Sequence, residues 1–214
     1  MLKDIKGAIF DLDGTLVDST WVWKQIDNDY LKSKGYTVPD NLHSEISHLS
    51  FTQVAGYFKE KFNLSDSIDD ILNDWHNMAY NHYSQNVKLK DGVKEFLDDL
   101  KKKNIKIALA TSNSRPLLEV CLKNNNIYDY FDSITTTDEV SRGKNFPDVY
   151  LLAASKINVN PNECVVFEDI PAAIKGAKLA DMKVVAVYDE YSTTEKQELI
   201  NISDKYIHSY KELL

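Results

Sequence analysis

The spacing of apolar and polar residues changes twice along this chain. Residues 5–10 form an almost continuous apolar run, which is typical of a buried parallel strand. Over residues 19–83 the apolar positions instead recur at helical spacing, and we predict no strand between residues 17 and 87. Beyond residue 87, β-rich apolar runs alternate with helical segments. The pattern therefore predicts an α/β fold, a parallel sheet with helices on both faces, interrupted by an all-helical insertion.

The boundaries of the predicted elements follow from the same pattern and from residues that favour helix ends. Within the insertion we predict helices at 21–31, ended by Gly35, at a segment opened by Pro39-Asp40, at 51–62, capped by Ser50, and at 68–83. In the remainder we predict strands at 105–110, 133–136, 164–167 and 183–187. The helices there are predicted at 93–100, 116–124 with Ser114 as N-cap, 148–156 and 174–180. This alternation is typical of a Rossmann-like core, although residues from 192 onward carry no clear pattern.

Two carboxylates follow the first predicted strand directly, in the stretch Asp11-Leu12-Asp13-Gly14. In an open parallel sheet, ligands bind beyond the carboxyl ends of the strands, so both acids are placed where chemistry is expected. Burying two acids this close is costly unless a cation or a bound group stabilises them. A hard divalent cation such as Mg²⁺ would bring such oxygen ligands together and leave room for a phosphate.

Polar residues also follow or precede other elements of the predicted sheet. The stretch Thr111-Ser112-Asn113 stands between a strand and a helix, where hydroxyl and backbone N–H groups favour phosphate binding. The buried strand at 164–167 ends in Glu168-Asp169, and Lys144 stands just before the helix at 148–156. Taken singly, such a serine or lysine is also compatible with a helix cap or a surface residue.

Together these stretches resemble, in order, the four signatures of the haloacid dehalogenase superfamily, whose members are mostly Mg²⁺-dependent phosphatases and phosphomutases. Residues 11–18 are similar to the pattern D-x-D-G-T/V-L/I-x-D, and Thr111 stands at the Thr or Ser of the second signature. Residues 143–148 are similar to G-K-P-x-P-D, with Asn145 in place of the first proline.

Residues 168–182 resemble the fourth signature, E-D-S-x-x-G-x-x-A-A-x-x-A-G-M. Ile170, Ala173 and Asp181 depart from that pattern. Asp tolerates a left-handed helix end less well than Gly, so we expect local strain at Asp181. These departures affect packing and leave the reacting groups in place.

The resemblance implies a role for each of these side chains. Asp11 would be the nucleophile that forms an aspartyl-phosphate, and Asp13 would be the general acid and then the general base. Thr111 and Lys144 would complete the catalytic set, and Lys144 would neutralise charge on the phosphate. Ser112 and Asn113 would bind the phosphate together with them. Mg²⁺ would be held by Asp11, Asp13 through its main-chain carbonyl, Asp169 and Glu168.

The resemblance also implies a domain organisation. Residues 1–17 and 88–214 would form the Rossmann-like core, and residues 18–87 would form the small helical C1 cap of the β-phosphoglucomutase and phosphoglycolate-phosphatase-like subgroup. Such a cap would act as a lid, with hinges at 17–20 and 87–90.

Histidines and aromatic residues are frequent in the insertion. No pair among its four histidines has a helical i, i+4 spacing, so we expect surface or interface residues and no metal site (His43, His48, His76 and His82). Three aromatic residues are expected in the core of the cap (Trp75, Tyr80 and Tyr83).

The choice between hydrolysis and isomerisation depends on two cap positions. By spacing, Trp23 stands where β-phosphoglucomutases carry a cap histidine, and Phe51 stands where they carry a cap arginine. A mutase must hold a second phosphate, and the loss of that arginine removes charge from its site. We therefore expect a phosphatase that acts on a small phosphorylated metabolite, with a phosphomutase as the alternative. A catalytically silent phosphate-binding module is a third hypothesis. It is disfavoured because such a module would not need all four charged residues of the signatures (Asp11, Asp13, Lys144 and Asp169).

Composition narrows the class of partner. The 214 residues carry a formal net charge of −8, which argues against nucleic acid. Cys121 and Cys164 lack C-x-x-C spacing and are expected to be reduced, and no apolar run has transmembrane length. With no signal peptide recognisable at residues 1–4, we expect a cytoplasmic monomer or weak dimer whose partner is a small-molecule phosphate ester.

Overall fold

A computed structural model of the chain describes residues 4–39, 41–46 and 51–214, with the side chains of 43, 44, 51 and 53 left aside. The chain forms two compact units: one contains the residues up to Ser19 together with Val87–Leu214, and the other is Thr20–Asn86. Several expectations concern residues outside this description, namely the helix start at Asp40, the Ser50 cap, His48 and the side chains of His43 and Phe51.

The strands and helices alternate along the first unit, whereas the second unit is helical. The described strands are β1 (Gly7–Phe10), β2 (Val17–Asp18), β3 (Lys88–Leu89), β4 (Lys106–Thr111), β5 (Ser133–Thr136), β6 (Cys164–Glu168), β7 (Lys183–Val187) and β8 (Lys205–Ile207). The described α-helices are α1 (Thr20–Ser33), α2 (Leu42–Ile46), α3 (Phe51–Lys61), α4 (Ile68–Gln85), α5 (Val93–Lys102), α6 (Arg115–Asn124), α7 (Asp148–Lys156), α8 (Pro171–Leu179) and α9 (Lys196–Ile202).

The first unit is built around a six-stranded sheet with the order β5-β4-β1-β6-β7-β8. All its neighbouring strands run parallel, and β1 lies between β4 and β6. From β1 the chain continues to β4 and β5 on one side, and from β6 it continues to β7 and β8 on the other side. The carboxyl ends of the adjacent strands β1 and β6 therefore border the crevice in which α/β proteins bind ligands, and the end of β4 lies next to them. The predicted α/β, Rossmann-like fold is confirmed.

The sheet is buried because its strands carry apolar side chains on both faces. One face packs aliphatic residues of β1, β4, β6 and β7 against α7, α8 and α9. The other face is aromatic: the rings of Phe10 and Phe167 stack with centroids 4.5 Å apart, and Phe96 and Tyr210 pack against them. These two layers hold the acidic strand ends on a rigid support.

The second unit has an aromatic core of its own. The ring of Trp75 in α4 makes edge-to-face contacts with the rings of Phe58 in α3 and Tyr30 in α1, with centroids 4.9 and 5.7 Å apart, respectively. Ser67 begins α4 with a capping box that includes Asp70. The core placement of Trp75 and Tyr83 is correct, but that of Tyr80 is wrong, because its side chain is exposed.

The structure corrects the sequence-based elements at several points. Strand β2 lies within the stretch 17–87, where no strand was expected, and it forms a short antiparallel ribbon with β3, Val17 opposite Leu89 and Asp18 opposite Lys88. Helix α9 and strand β8 lie in the tail that showed no pattern. Ser114 takes the N-cap position of α6, but its hydroxyl makes no cap bond. Asp181 has a φ of 59°, the left-handed conformation that was expected to strain it.

Candidate active site

Asp11 lies one residue beyond β1, and its backbone continues the sheet. Its N–H donates to the carbonyl of Phe167 at 3.0 Å, so Asp11 is fixed beside the end of β6. Its buried carboxylate accepts a hydrogen bond from Lys144, whose ammonium also donates to Glu168. Burial alone would lower the pKa of Lys144, but the carboxylates of Asp11 and Glu168 outweigh it and raise that pKa. Lys144 is therefore a fixed cation beside the expected nucleophile.

Asp11, Glu168 and Asp169 form a buried acid cluster. One carboxylate oxygen from each lies within 4.8 Å of the others. Burial, together with the charges of Asp11 and Glu168, raises the pKa of Asp169 well above its ordinary value. Burial likewise raises the pKa of Glu168 to about 7, although Lys144 acts in the opposite direction. Three desolvated acids at this spacing favour a bound cation, and an all-oxygen donor set fits a hard divalent ion such as Mg²⁺.

The carboxylate of Asp13 has hydrogen-bond donors of its own. Ser19 donates its hydroxyl proton to Oδ1 of Asp13 at 2.6 Å, and Asn113 donates from Nδ2 to Oδ2 at 2.8 Å. Two donors on opposite oxygens fix the plane of the carboxylate. The two acids of the D-x-D stretch therefore have different surroundings: Asp11 faces a cation, whereas Asp13 is oriented by neutral donors.

The loop after β4 brings the predicted phosphate-binding residues to the same edge of the sheet. Thr111 is buried, and its Oγ1 accepts a hydrogen bond from the backbone N–H of Asn113 at 3.0 Å. Ser112 is exposed and Asn113 is half-buried, just before the first turn of α6. Hydroxyl, amide and backbone N–H groups near a helix N-terminus are suitable donors for a phosphate.

Helix α8 supports the loop that carries Lys144. A Cβ added to Gly176 would collide with the carbonyl of Lys144 and lie 2.9 Å from that of Phe146, so the loop packs directly on the helix backbone. Within the loop, the N–H of Phe146 donates to the carbonyl of Gly143 at 3.0 Å. Gly176 stands where the fourth-signature pattern has an alanine, and Ala173 stands where the pattern has its glycine, so this close packing is a property of this chain.

The sequence-based prediction missed several residues of the site. Thr15 donates from Oγ1 to Asp169 at 3.2 Å, and Tyr210 donates to the carbonyl of Thr15 at 3.3 Å. Tyr150 of α7 donates to Oε1 of Glu168 at 2.8 Å. Tyr150 belongs to an apolar helical pattern that predicts core, and Tyr210 lies in the unpatterned tail. Thr15 could have been found, since it stands inside the first signature.

Comparison with known proteins identifies the family. A profile of the haloacid dehalogenase-like hydrolases matches residues 8–187. The chain belongs to this family, as the signatures predicted.

Several relatives of this chain are named phosphatases. The chain is 30% identical to a phosphorylated carbohydrates phosphatase of Thermotoga maritima, over 84% of this chain and 83% of the relative. It is 27% identical to hexitol phosphatase B of Escherichia coli, over 86% and 84% of the two chains. These names agree with the prediction of a phosphoric monoester hydrolase.

Solved structures are similar over almost the whole chain. A Thermotoga maritima protein provisionally assigned as a β-phosphoglucomutase gives a TM-score of 0.85 at 28% identity, covering 98% of this chain and 97% of that one. The structure of CbbY from Rhodobacter sphaeroides with bound phosphate gives a TM-score of 0.83 at 22% identity, covering 98% of this chain and 96% of that one. This similarity supports the fold. Over the described residues, no helix combines the length and apolarity that a membrane span needs.

Proposed function

We propose that this protein is a Mg²⁺-dependent phosphatase that hydrolyses a small phosphorylated carbohydrate through an aspartyl-phosphate. The observation that carries the proposal is the arrangement of the two acids of the D-x-D stretch. Asp11 lies against Lys144 in the buried acid cluster, whereas Asp13 is oriented separately by Ser19 and Asn113. A two-step phosphoryl transfer needs one acid as nucleophile and another as proton carrier, in different surroundings.

In the first step a carboxylate oxygen of Asp11 attacks phosphorus, and the bond between phosphorus and the ester oxygen breaks. Asp13 gives its proton to the departing alkoxide, which leaves as the alcohol. In the second step Asp13 takes a proton from water while that water attacks the aspartyl-phosphate. Inorganic phosphate leaves, and the carboxylate of Asp11 is restored.

The remaining residues stabilise charge on the phosphoryl group. Lys144 lies beside Asp11, where its ammonium would contact a transferring phosphoryl oxygen. Thr111, Ser112 and Asn113 would donate to the other oxygens. Mg²⁺, when held by Asp11, Asp169 and the main-chain carbonyl of Asp13 with Glu168 beside them, would neutralise phosphate charge as a Lewis acid. We further propose that residues 18–87 act as a cap that carries substrate specificity.

The relatives support a carbohydrate as substrate. Two of them are a phosphorylated carbohydrates phosphatase and a hexitol phosphatase, and a third, from Streptomyces hygroscopicus subsp. limoneus, is a validoxylamine A 7′-phosphate phosphatase. A phosphomutase is the second candidate, because the Thermotoga maritima structure with a TM-score of 0.85 is provisionally assigned as a β-phosphoglucomutase. Trp23, a half-buried aromatic residue, stands where a mutase is expected to carry histidine, which favours water as the acceptor.

The test is phosphate release from a panel of sugar and polyol phosphates, with Mg²⁺ and with EDTA. We expect turnover with Mg²⁺, loss in EDTA and recovery when Mg²⁺ is restored. Asp11→Asn should abolish turnover without loss of fold, whereas Asp99→Asn on α5 should behave as wild type. Substantial phosphate release by the Asp11 variant would contradict the nucleophile assignment, and full activity in EDTA would contradict the cation.

The panel also separates the two candidate functions. With β-glucose 1-phosphate and a trace of the 1,6-bisphosphate, we expect inorganic phosphate and little glucose 6-phosphate. Isomerisation much faster than phosphate release would establish the mutase instead.

A further inference from the structure

A buried ion pair lies beside the acid cluster but outside the four signatures. Lys90, directly after β3, donates from Nζ to Oδ2 of Asp189 at 2.8 Å and to the carbonyl of Tyr188 at 2.5 Å. The side chains of Lys90 and Asp189 are only 13% and 3% exposed. The N–H of Lys90 also donates to the carbonyl of Leu16 at 2.9 Å, which fixes its backbone close to the first signature. These two charges are therefore shielded from solvent, unlike those of an ion pair on the protein surface.

The sheet register places Asp189 close to Asp169. Strand β6 pairs with β7 in parallel, with Glu168 opposite Ala186. Extending this register by one residue places Asp169 opposite Val187, and Asp189 follows two residues later, just beyond the carboxyl end of β7. With strands about 4.8 Å apart and about 3.3 Å per residue, the two Cα atoms are roughly 8 Å apart. The charge of Asp189 accordingly contributes to the raised pKa of Asp169.

We infer that the Lys90–Asp189 pair sets the affinity of the acid cluster for Mg²⁺. This inference rests on the proposed function, in which the cluster binds that cation. Asp189 adds a negative charge next to a cation ligand, and Lys90 offsets it. Because both side chains are buried, solvent ions screen their charges weakly. Neither residue needs to touch the cation; each acts through the electrostatic potential at Asp169.

The two single substitutions should change the affinity in opposite directions. Lys90→Met leaves the charge of Asp189 without its cation, so Mg²⁺ should bind about tenfold more tightly. Asp189→Asn removes the negative charge that acts on Asp169, so Mg²⁺ should bind about tenfold more weakly. General damage to the fold would weaken binding in both variants. The double variant, which buries no unpaired charge, should lie between the two.

The experiment is a MgCl2 titration of the full chain without substrate, at constant ionic strength, with the thermal unfolding midpoint as readout. A cation that binds only the folded state raises that midpoint by an amount fixed by its dissociation constant, so the readout is independent of turnover. Lys106→Met and Asp132→Asn are matched controls. Each removes one partner of a partly exposed Lys–Asp ion pair with Nζ and Oδ1 3.1 Å apart. Lys106 begins β4, so the pair lies at the amino ends of the strands, on the opposite side of the sheet from the acid cluster at their carboxyl ends. Both controls should keep the wild-type affinity.

The outcomes separate this inference from the proposed function. The inference is supported if Lys90→Met binds Mg²⁺ more tightly than wild type and Asp189→Asn binds it more weakly than wild type. Mg²⁺ binding with equal affinity in wild type and both variants would overturn it and leave the phosphatase proposal standing. No stabilisation of wild type by Mg²⁺ would overturn the cation assignment and this inference together. If Lys90→Met fails to fold, Asp189→Asn is compared with the double variant, which differs from it only by the charge of Lys90; equal affinities of these two would refute the inference.

Discussion

Replacing Ser19 by alanine removes a hydrogen bond that orients the carboxylate of Asp13. The Ser19 hydroxyl is fully buried and lies 2.6 Å from Oδ1 of Asp13, so neither water nor a neighbouring side chain easily takes its place. A hydrogen bond to a charged group contributes about 1.5–3 kcal/mol. If that energy holds Asp13 in its productive orientation, each step in which Asp13 moves a proton should slow about ten- to a hundredfold.

The assay separates the two proton transfers. p-Nitrophenyl phosphate has a phenolate leaving group that needs little protonation. In the proposed mechanism its first step should therefore depend weakly on Asp13, whereas the hydrolysis of the aspartyl-phosphate should depend on Asp13 fully. Rapid mixing of Ser19→Ala with this substrate should give a burst of nitrophenol within about threefold of the wild-type rate, followed by a steady state about ten- to a hundredfold slower. With an alkyl phosphate both phases should slow.

The control is Ser203→Ala, which removes a partly buried hydroxyl that donates to the carbonyl of Leu199 at the end of α9. It should leave both phases unchanged. A Ser19→Ala burst that slows in proportion to the steady state would refute the reasoning, because Ser19 would then support the nucleophile or the fold and not the proton carrier.

Two further variants test the packing of the lysine loop and the pH dependence of stability. Gly176→Ala should reduce kcat at least about tenfold, because the added Cβ displaces the backbone that carries Lys144. The control is Gly56→Ala in α3, where a Cβ meets nothing within 4 Å, and it should leave kcat unchanged and stability unchanged or raised by less than about 1 kcal/mol. Equal kcat values of the two variants would contradict this reasoning. Burial raises the pKa of Asp27 in α1 from 3.8 to about 7. The folded state therefore keeps, between these pH values, a proton that the unfolded state has released, and stability falls as pH rises through the window. Asp27→Asn should gain roughly 2–4 kcal/mol at pH 8 and little at pH 4 in thermal unfolding, and an equal gain at both pH values would exclude this cause.

The acids at the strand ends could be predicted because their signal is local. An apolar strand that runs into Asp11 and Asp13 is visible within the nine residues 5–13, and the strand before Glu168 and Asp169 is visible within the six residues 164–169. The parallel order of strands and helices then places these ends at one edge of the sheet. Local pattern and topology are therefore enough to locate the candidate site.

The partners of those acids could not be predicted, because their signal is not local. Asn113 reaches Asp13 across 100 positions of the chain, and Tyr210 reaches Thr15 across 195. A ribbon of two-residue strands, such as β2 with β3, is too short to show any periodicity, and the same applies to the three residues of β8. Tyr150 follows an apolar pattern, so its hydroxyl bond to Glu168 is visible only in three dimensions.

The short ribbon of β2 and β3 has a consequence for how such a protein can diversify. Asp18 pairs with Lys88, and paired residues in an antiparallel ribbon have Cα atoms about 4.5–5.5 Å apart. The chain thus leaves the sheet unit and returns to it at nearly the same point, and Thr20–Asn86 are inserted between two adjacent ends. A segment with that connection can be exchanged as a cassette by recombination at two neighbouring positions, without altering Asp11, Lys144 or Asp169. Under the proposed role of residues 18–87 in substrate specificity, selection for a new substrate and selection for the phosphoryl chemistry would act on separate stretches of one gene.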